Sequence, residues 1–391
     1  MPETANSAQL LRQRMAAELD ELRNEAQFRV LDHPTGVNLC SNDYLGLAHD
    51  PRLKGAVEEA VEGAESVGAT GSRLLSGNLR EWGDLENHFA SFAGTEAALY
   101  FSSGYAANLG LLSSILKPQD TVFSDALNHA SIIDGIRLSG ARKVIFPHLD
   151  LNFLEKALRD QSAKGAKVIV TESVFSMEGD VAPLQDTLAL ARQYGAEIIV
   201  DEAHATGVWG PQGRGIAAAE ENQREMLAVV HACGKALASA GAFVCCERVL
   251  KDYLINRART FIFSTAMPGY LARQIRAALA LAREANDRRT HLYSISSWLR
   301  KALADLELHF GSSVTQIVPL ILGENKLALE IENQLHKSGF AVKAVRPPTV
   351  AAGTTRLRLS LTSSIAQEDL ARFVAVLNKT LGDCHLSHKF F

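Results

Sequence analysis

The chain has 391 residues, 47% of them apolar, and its 40 basic and 44 acidic side chains leave a formal net charge of −4 with no block of either sign. That supplies the core of one large domain, or of a large and a small one, and the mixed charge excludes a nucleic-acid or membrane-surface footprint. No apolar run reaches the ~18 residues that cross a bilayer, and the start, MPETANSAQLLRQRM, lacks a charged-then-apolar leader pattern, so a cytoplasmic chain acting on small molecules is expected.

Leu11, Met15, Leu19, Leu22 and Ala26 recur at three- and four-residue steps, which predicts an amphipathic first helix with Arg and Glu on its other face. Seven short apolar or β-branched runs follow: AALYFSSG, TVFSDA, KVIFP, KVIVTESVFS, EIIVDEAH, LAVVHACGK and GAFVCC. Helix-length segments lie between several of them, such as PLQDTLALARQYG, where Gly195 stands as a C-cap would. Apolar runs alternating with helices predict an α/β domain, its mostly parallel seven-stranded sheet covered by helices. After about Ser264 the pattern changes. A helical stretch from Gly269, broken by polar EANDRRTHLYS, leads to VTQIVPLILG, a helix KLALEIENQLHKSG, strands AVKAV and TRLRLSLT, and a last helix with Leu370, Phe373, Val374 and Leu377 inward. This reads as a small α+β domain that shares a face with the N-terminal helix. The expected division is 1–45 for the first helix and lead-in, 46–285 for the large domain and 286–391 for the small one. Five cysteines, Cys40, Cys233, Cys245, Cys246 and Cys384, show neither CxxC nor Cys/His ligand spacing, so small buried thiols are expected rather than a disulfide frame or zinc.

In such sheets ligands collect beyond the carboxyl ends of the strands. After ALYF, SSGYAANLGLL opens a helix whose first N–H groups, at Gly104 and Tyr105, are free to hold a phosphate; an ordinary strand-to-helix turn is the plain alternative. After TVF come Asn128 and His129, and after KVIVT come Glu172 and Ser176. EIIVDEAHATG ends its strand on Asp201, with His204 three residues on. A carboxylate held there can keep a ring nitrogen protonated and make a pyridine an electron sink, unless it merely caps a helix. A Ser/His/Asp hydrolase lacks its G-x-S-x-G turn, and metal binding by Asp201, Glu202 and His204 is disfavoured because neighbours on a strand end point opposite ways, so no metal is expected. Lys235 follows the LAVV run among the small residues Gly234, Ala236, Ala238 and Gly241. An amine in a partly desolvated pocket beside another cation has a lowered pKa and forms a Schiff base with an aldehyde cofactor; a solvated loop lysine is the other reading.

Together, GYAAN, NHAS, ESVFSMEGDVAPL, DEAHATGVWGPQGRG and GKALASAGA resemble the pyridoxal-phosphate α-oxoamine synthases of fold type I, as do LCSNDYLGLAHDP and GATGSRLLSGN upstream. Arg346 to Thr362, RPPTVAAGTTRLRLSLT, is most similar to the branch that condenses L-alanine with a pimeloyl thioester in biotin biosynthesis. The resemblance implies pyridoxal 5'-phosphate as cofactor, Lys235 as its Schiff-base lysine, Asp201 at the ring nitrogen and His129 stacked on the ring. It also implies Ser176 and His204 at the phenolic oxygen, Gly104 and Tyr105 at the phosphate, and Arg23 and Thr349 at the substrate. For the amino-acid carboxylate the family uses a small-domain arginine. Arg356 and Arg358 alternate with leucines and share one strand face; Arg356 is the expected choice, with Arg346 second. A homodimer with its site at the subunit interface is implied too. Two alternatives stay open: a sister synthase using glycine or serine and another acyl thioester, and a non-catalytic scaffold subunit, although such partners lose the lysine that this chain keeps. One position departs from the family. Three residues before the lysine, where a threonine or serine hydroxyl usually meets the phosphate, stands Ala232, and Ser264 or Thr265 could stand in for it. SLTSSIA also lacks a histidine often found after that strand.

Overall fold

The computed structural model describes residues 7–33, 35–161, 164–218 and 223–383; Cys384 lies outside them. Helix α1, Ser7–Asn24, is followed by a two-residue strand β1, Val37–Asn38, which pairs in parallel with β10, Phe340–Ala341. The expected apolar stripe of α1 is present, but Leu10, Leu11, Met15 and Leu19 are exposed. The helix therefore shares no apolar face with the small domain through them. Its C-terminal end is tied there instead, the Glu25 carbonyl accepting from Asn325 Nδ2 at 3.0 Å.

Helices α2 (Pro51–Glu62) and α3 (Arg80–Ala93) precede the sheet, whose seven strands are β2 (Ala97–Phe101), β3 (Thr121–Asp125), β4 (Arg142–Phe146), β5 (Lys167–Glu172), β6 (Ala196–Asp201), β7 (Ala228–Ala232) and β8 (Ala242–Cys246). The order is β2-β8-β7-β6-β5-β3-β4, and all run the same way except β8, which is antiparallel to both its neighbours. Chain length explains the exception. Only residues 233–241 join β7 to β8, too few for the dozen or more that a parallel crossover needs, so the chain turns straight back. That return carries Lys235. It is held by Cys233 N–H to the Gly241 carbonyl (2.8 Å) and Ser239 N–H to the Cys233 carbonyl (3.0 Å). Gly241 has φ +84 with the Tyr100 ring packed on its Cα, so no side chain fits. Helices α4 (Gly104–Ile115), α5 (Ala130–Ser139), α6 (Leu151–Asp160), α7 (Leu184–Tyr194), α8 (Arg248–Arg257) and α9 (Arg259–Ile262) accompany the sheet. Its strands present apolar side chains to both faces, with Val170, Ile199 and Val230 in one core and Ile169, Ile198, Val200 and Val229 in another.

Helix α10, Gly269–Glu284, and helix α11, Asn286–Asp305, are separated by Ala285 alone. The expected break over EANDRRTHLYS is thus mostly helical, because its polar side chains make tertiary bonds: Arg288 reaches the Leu45 carbonyl at 2.7 Å, Arg289 the Gly207 carbonyl at 3.0 Å and His291 Nε2 the Ile365 carbonyl at 2.9 Å. The small domain follows with β9 (Ile317–Gly323), α12 (Asn325–Lys337), β11 (Ala344–Val345), β12 (Thr355–Ser360) and α13 (Gln367–Asp383), its antiparallel sheet ordered β11-β12-β9. AVKAV, expected as one strand, divides between β10 and β11, which serve different partners. Cys233, Cys245 and Cys246 are buried free thiols, while Cys40 is half-buried.

Candidate active site

The carboxyl ends of β2, β3, β5, β6 and β7 lie on one edge of the sheet and bring together Gly104, His129, Glu172, Asp201 and the Lys235 turn. Asp201 closes β6 and is 6% exposed. Its Oδ2 accepts from Asn108 Nδ2 at 2.6 Å and its Oδ1 from the Ala203 N–H at 2.8 Å. Sequence reasoning did not single out Asn108. The signal was available, since it stands four residues after Gly104 and so on the same face of α4.

Glu172, the register partner of Asp201 on β5, is 2% exposed, and its Oε1 has no hydrogen-bond partner. Burial first, and the Asp201 charge second, push this carboxyl well above its usual range. The two acids are thus set apart: Asp201 receives two donors, while burial favours the protonated form of Glu172.

Lys235 is half-buried. Burial lowers its pKa and Arg358 lowers it further, against the pull of Asp201 and Glu172, so the cation expected beside the amine is Arg358. His129 caps α5, its Nδ1 bonded to Ser131 (Oγ 2.8 Å, N–H 3.2 Å), with Nε2 left for other partners. Its pKa falls through burial and the Lys235 charge, partly offset by Asp201.

At the start of α4, the Ser103 Oγ accepts from the Ala106 N–H at 3.0 Å. The N–H groups of Gly104 and Tyr105, in the first turn, have no intrahelical partner and carry the positive end of the helix dipole. A Cβ built on Gly104 would meet the Ala232 methyl at 3.9 Å, so position 232 faces this amide cluster. Ser264 and Thr265 sit beside Ser102, the residue next to that cap. An Ala232→Thr variant is expected to bind the phosphorylated cofactor about five-fold more tightly, one added hydrogen bond's worth, in an absorbance titration; unchanged affinity would mean another group already fills the place.

His204 is 6% exposed; Tyr44 Oη lies 2.6 Å from its Nδ1, and burial followed by the Lys235 and Arg358 charges keeps it neutral. Ser176 rides on a hairpin closed by the Val174–Val181 bridge, and Gly179 of that hairpin, at φ +71, packs against the Ile317 carbonyl where no Cβ fits. The hairpin is thereby pressed onto the small domain, and the Ser176 carbonyl accepts from Arg358 Nε.

The geometry separates the two candidate arginines of β12. Arg356 and Arg358 do share a face of β12, and both are buried. Arg356 is already neutralised, its Nη1 3.0 Å from Glu178 Oε1 and 3.2 Å from the Met177 carbonyl. Among the described residues the acceptors at Arg358 are neutral, the Ser176 carbonyl and Asn42 Oδ1 at 3.1 Å with them, and its charge bears on Lys235 and His204. A buried guanidinium with no carboxylate partner among the described residues has its charge available to an anion.

The other expected substrate residues stand elsewhere. Arg346 donates to the Ala26 carbonyl at 2.6 Å, Arg23 pairs with Asp20 at 2.7 Å while lying over the Phe28 ring, and exposed Thr349 bonds the Arg346 carbonyl through its N–H at 3.1 Å. These three gather where the N-terminal segment crosses the 346–350 loop, and none bonds to Lys235 or Asp201. As for metals, Asp32, Glu332 and His336 lie close enough together to ligate an ion, but the Lys343 ammonium already stands 2.6 Å from Asp32 and 2.9 Å from Glu332.

Amides for a phosphate, a buried carboxylate for a ring nitrogen, an amine of lowered pKa for an aldehyde and an imidazole edge form a donor set that suits pyridoxal phosphate. The family model for class I and II aminotransferases matches residues 34–377. An 8-amino-7-oxononanoate synthase of Geobacter sulfurreducens is 44% identical over 378 residues, covering 93% of this chain and 96% of that protein. Among solved structures, a serine palmitoyltransferase from S. paucimobilis with a bound PLP–myriocin adduct matches with a TM-score of 0.88 at 28% identity, over 95% of this chain and 98% of the other. The 8-amino-7-oxononanoate synthase of Francisella tularensis matches with a TM-score of 0.77 at 28% identity, over 90% of this chain and 99% of the other.

Proposed function

Since this chain belongs to the class I and II aminotransferase family, as a pyridoxal-phosphate-dependent α-oxoamine synthase of fold type I, we propose that it joins L-alanine to a pimeloyl thioester. The enzyme is a PLP-dependent acyltransferase. In the proposed reaction the products are 8-amino-7-oxononanoate, the free thiol of coenzyme A or a carrier protein, and carbon dioxide, a step of biotin biosynthesis. The observation that carries the reading is the unpaired Arg358 beside Lys235, an anion seat next to an amine. The names of the 40–45% identical relatives support alanine and the pimeloyl group.

Bound pyridoxal phosphate supplies an aldehyde that condenses with amines and a ring that takes up the electrons of a broken bond. The residues of this chain supply the rest. The amides of Gly104 and Tyr105 would hold the phosphate, His129 would lie against the ring, and Ser176 and His204 would face its phenolic oxygen. Asp201, braced by Asn108, holds a proton on the ring nitrogen. Arg358, oriented by Asn42 Oδ1 and the Ser176 carbonyl, binds the alanine carboxylate. Lys235 Nζ, whose pKa burial lowers, would take the Cα proton. That carbon would then bond to the thioester carbonyl carbon as the C–S bond breaks and the thiolate takes up a proton; the carboxylate on Arg358 would leave as carbon dioxide, and the carbon it leaves would take back the proton held on Lys235 Nζ.

The homodimer with its site at the subunit interface belongs to this proposal. Val67, Leu74, Leu75 and Phe263 support it as large apolar side chains exposed on the protomer. Leu74, Leu75 and Phe263 lie close to the Ser72–Thr265 bridge that joins their two loops. No helix among the described residues is long and apolar enough to cross a membrane, which agrees with work in the cytoplasm.

The likeness to a serine palmitoyltransferase keeps one rival in view, a sister synthase with another amino acid and acyl group. Thioester consumption with alanine, glycine and serine against pimeloyl and shorter acyl donors separates them; indifference to alanine overturns our reading. The arginine assignment has its own test. Arg358→Gln is expected to raise the KM for alanine about 30–100-fold, the loss of a charged hydrogen-bonded contact, with cofactor affinity unchanged, whereas Arg356→Gln changes it less than about ten-fold. The reverse order in steady-state kinetics restores Arg356.

A further inference from the structure

Tyr44 is fully buried, and its hydroxyl lies 2.6 Å from His204 Nδ1 and 3.1 Å from Asn42 Oδ1. A phenol has one proton, so only one of these contacts receives it. Asn42 Oδ1 already accepts from Arg358 Nη1 at 3.1 Å and from Ser360 Oγ at 3.1 Å, which uses both lone pairs of an amide oxygen. Turning the amide around would set its NH2 against a guanidinium, so the oxygen stays where it is. Arg358, Ser360 and Gln316 are hydrogen-bonding neighbours of the Tyr44 hydroxyl as well. If His204 carried its proton on Nδ1, the Tyr44 proton would have to turn away from its shortest contact, to Asn42 Oδ1 as a third donor or to Ser360.

We propose that Tyr44 is a positioning residue that donates to Nδ1 of His204 and fixes this histidine as the Nε2–H tautomer, so that Nε2 presents a donor to the cofactor's phenolic oxygen. The last clause rests on the placement of His204 proposed above; the tautomer does not. Neutrality of the buried ring fits this, since a neutral imidazole with an accepting Nδ1 must hold its proton on Nε2. Tyr44 also bridges the anion-binding arginine and the cofactor-facing histidine through a single oxygen.

The test is nitrogen NMR on the full-length holoenzyme with 15N-labelled histidine, the His204 signals being identified by their loss in His204→Gln. An unprotonated Nδ1 and a protonated Nε2 are expected in the wild-type protein; a protonated Nδ1 overturns the proposal. In Tyr44→Phe, which keeps the ring that fills the core, Nδ1-protonated His204 is expected to appear and cofactor affinity to fall about five-fold, one neutral hydrogen bond's worth. An unchanged histidine spectrum in that variant removes Tyr44 from the role. Neither readout uses substrate, so a failed alanine or pimeloyl assignment leaves this result standing, and the converse holds too.

Discussion

Lys235→Ala is expected to abolish borohydride trapping of a pyridoxyl group on the peptide His231–Ala242 and to lower turnover by at least about 10³-fold. The proton transfer alone is worth about 10²–10⁴-fold, and the lost covalent attachment adds to it. The variant keeps its fold by the same geometry that places the lysine. The turn is closed by main-chain bonds from Cys233 to Gly241, from Ser239 to Cys233 and from Ala238 to Lys235, none of which uses the side chain. Truncating a half-buried lysine among Ala236, Ala238 and Gly241 opens space without stranding a partner, since no hydrogen bond or ion pair of Nζ would be broken among the described residues. Cofactor is still held without the covalent link, because phosphate, ring face and ring nitrogen have their own partners. Peptide mapping after reduction, with turnover measured alongside, decides it. A pyridoxyl adduct on another lysine, or turnover within ten-fold of wild type, overturns the assignment.

Asp201→Asn is the second large effect, a fall in turnover of about 10²–10³-fold with the protein still folded. A neutral amide cannot hold a proton on the ring nitrogen, and the loss of one preorganised electrostatic contact at a developing charge costs about that much. The change also reaches its neighbours. Asn108 Nδ2, which now donates to Oδ2 at 2.6 Å, would face either the amide oxygen or an NH2 group, so part of the effect is mispositioning. Asp201→Glu separates the two: it keeps the charge and shifts it by one methylene. If charge is what counts, the Glu variant retains more turnover than the Asn variant. Equal activity of Asp201→Asn and wild type in steady-state assays would remove Asp201 from the ring nitrogen.

Much of the site was legible in the sequence because this fold places it next to its own strongest signals. Strands covered on both faces read as uninterrupted apolar runs, and the residue that ends each run stands at the edge where ligands bind. Gly104, His129, Asp201 and Lys235 were picked out that way, from strand ends and not from any pairwise contact, and the fold sets them on one edge of the sheet. The return between β7 and β8 was likewise bounded by chain length, which forces an antiparallel neighbour and sets Lys235 at the site.

What local pattern could not decide was pairing across the chain. The alternation in TRLRLSLT correctly put Arg356 and Arg358 on one face, but period two says nothing about which of them meets an acid. Glu178, far back in the large domain, takes Arg356 and leaves Arg358 for an anion. Arg346, read as a second candidate for the substrate, donates to the Ala26 carbonyl, a contact made because the N-terminal segment crosses its loop. The polar stretch after α10 looked like a break for the same reason: charges that would be solvated in an isolated helix are here bonded to Leu45, Gly207 and Ile365. By itself the sequence determined the sheet, its covering helices and the strand ends that carry chemistry, since these follow from burial and periodicity over a few residues. Only the tertiary structure decided which arginine stays unpaired, how Asn108 braces Asp201, and where the Tyr44 proton goes. Those depend on the distances between segments that are remote in the chain, and on which acceptors are already taken.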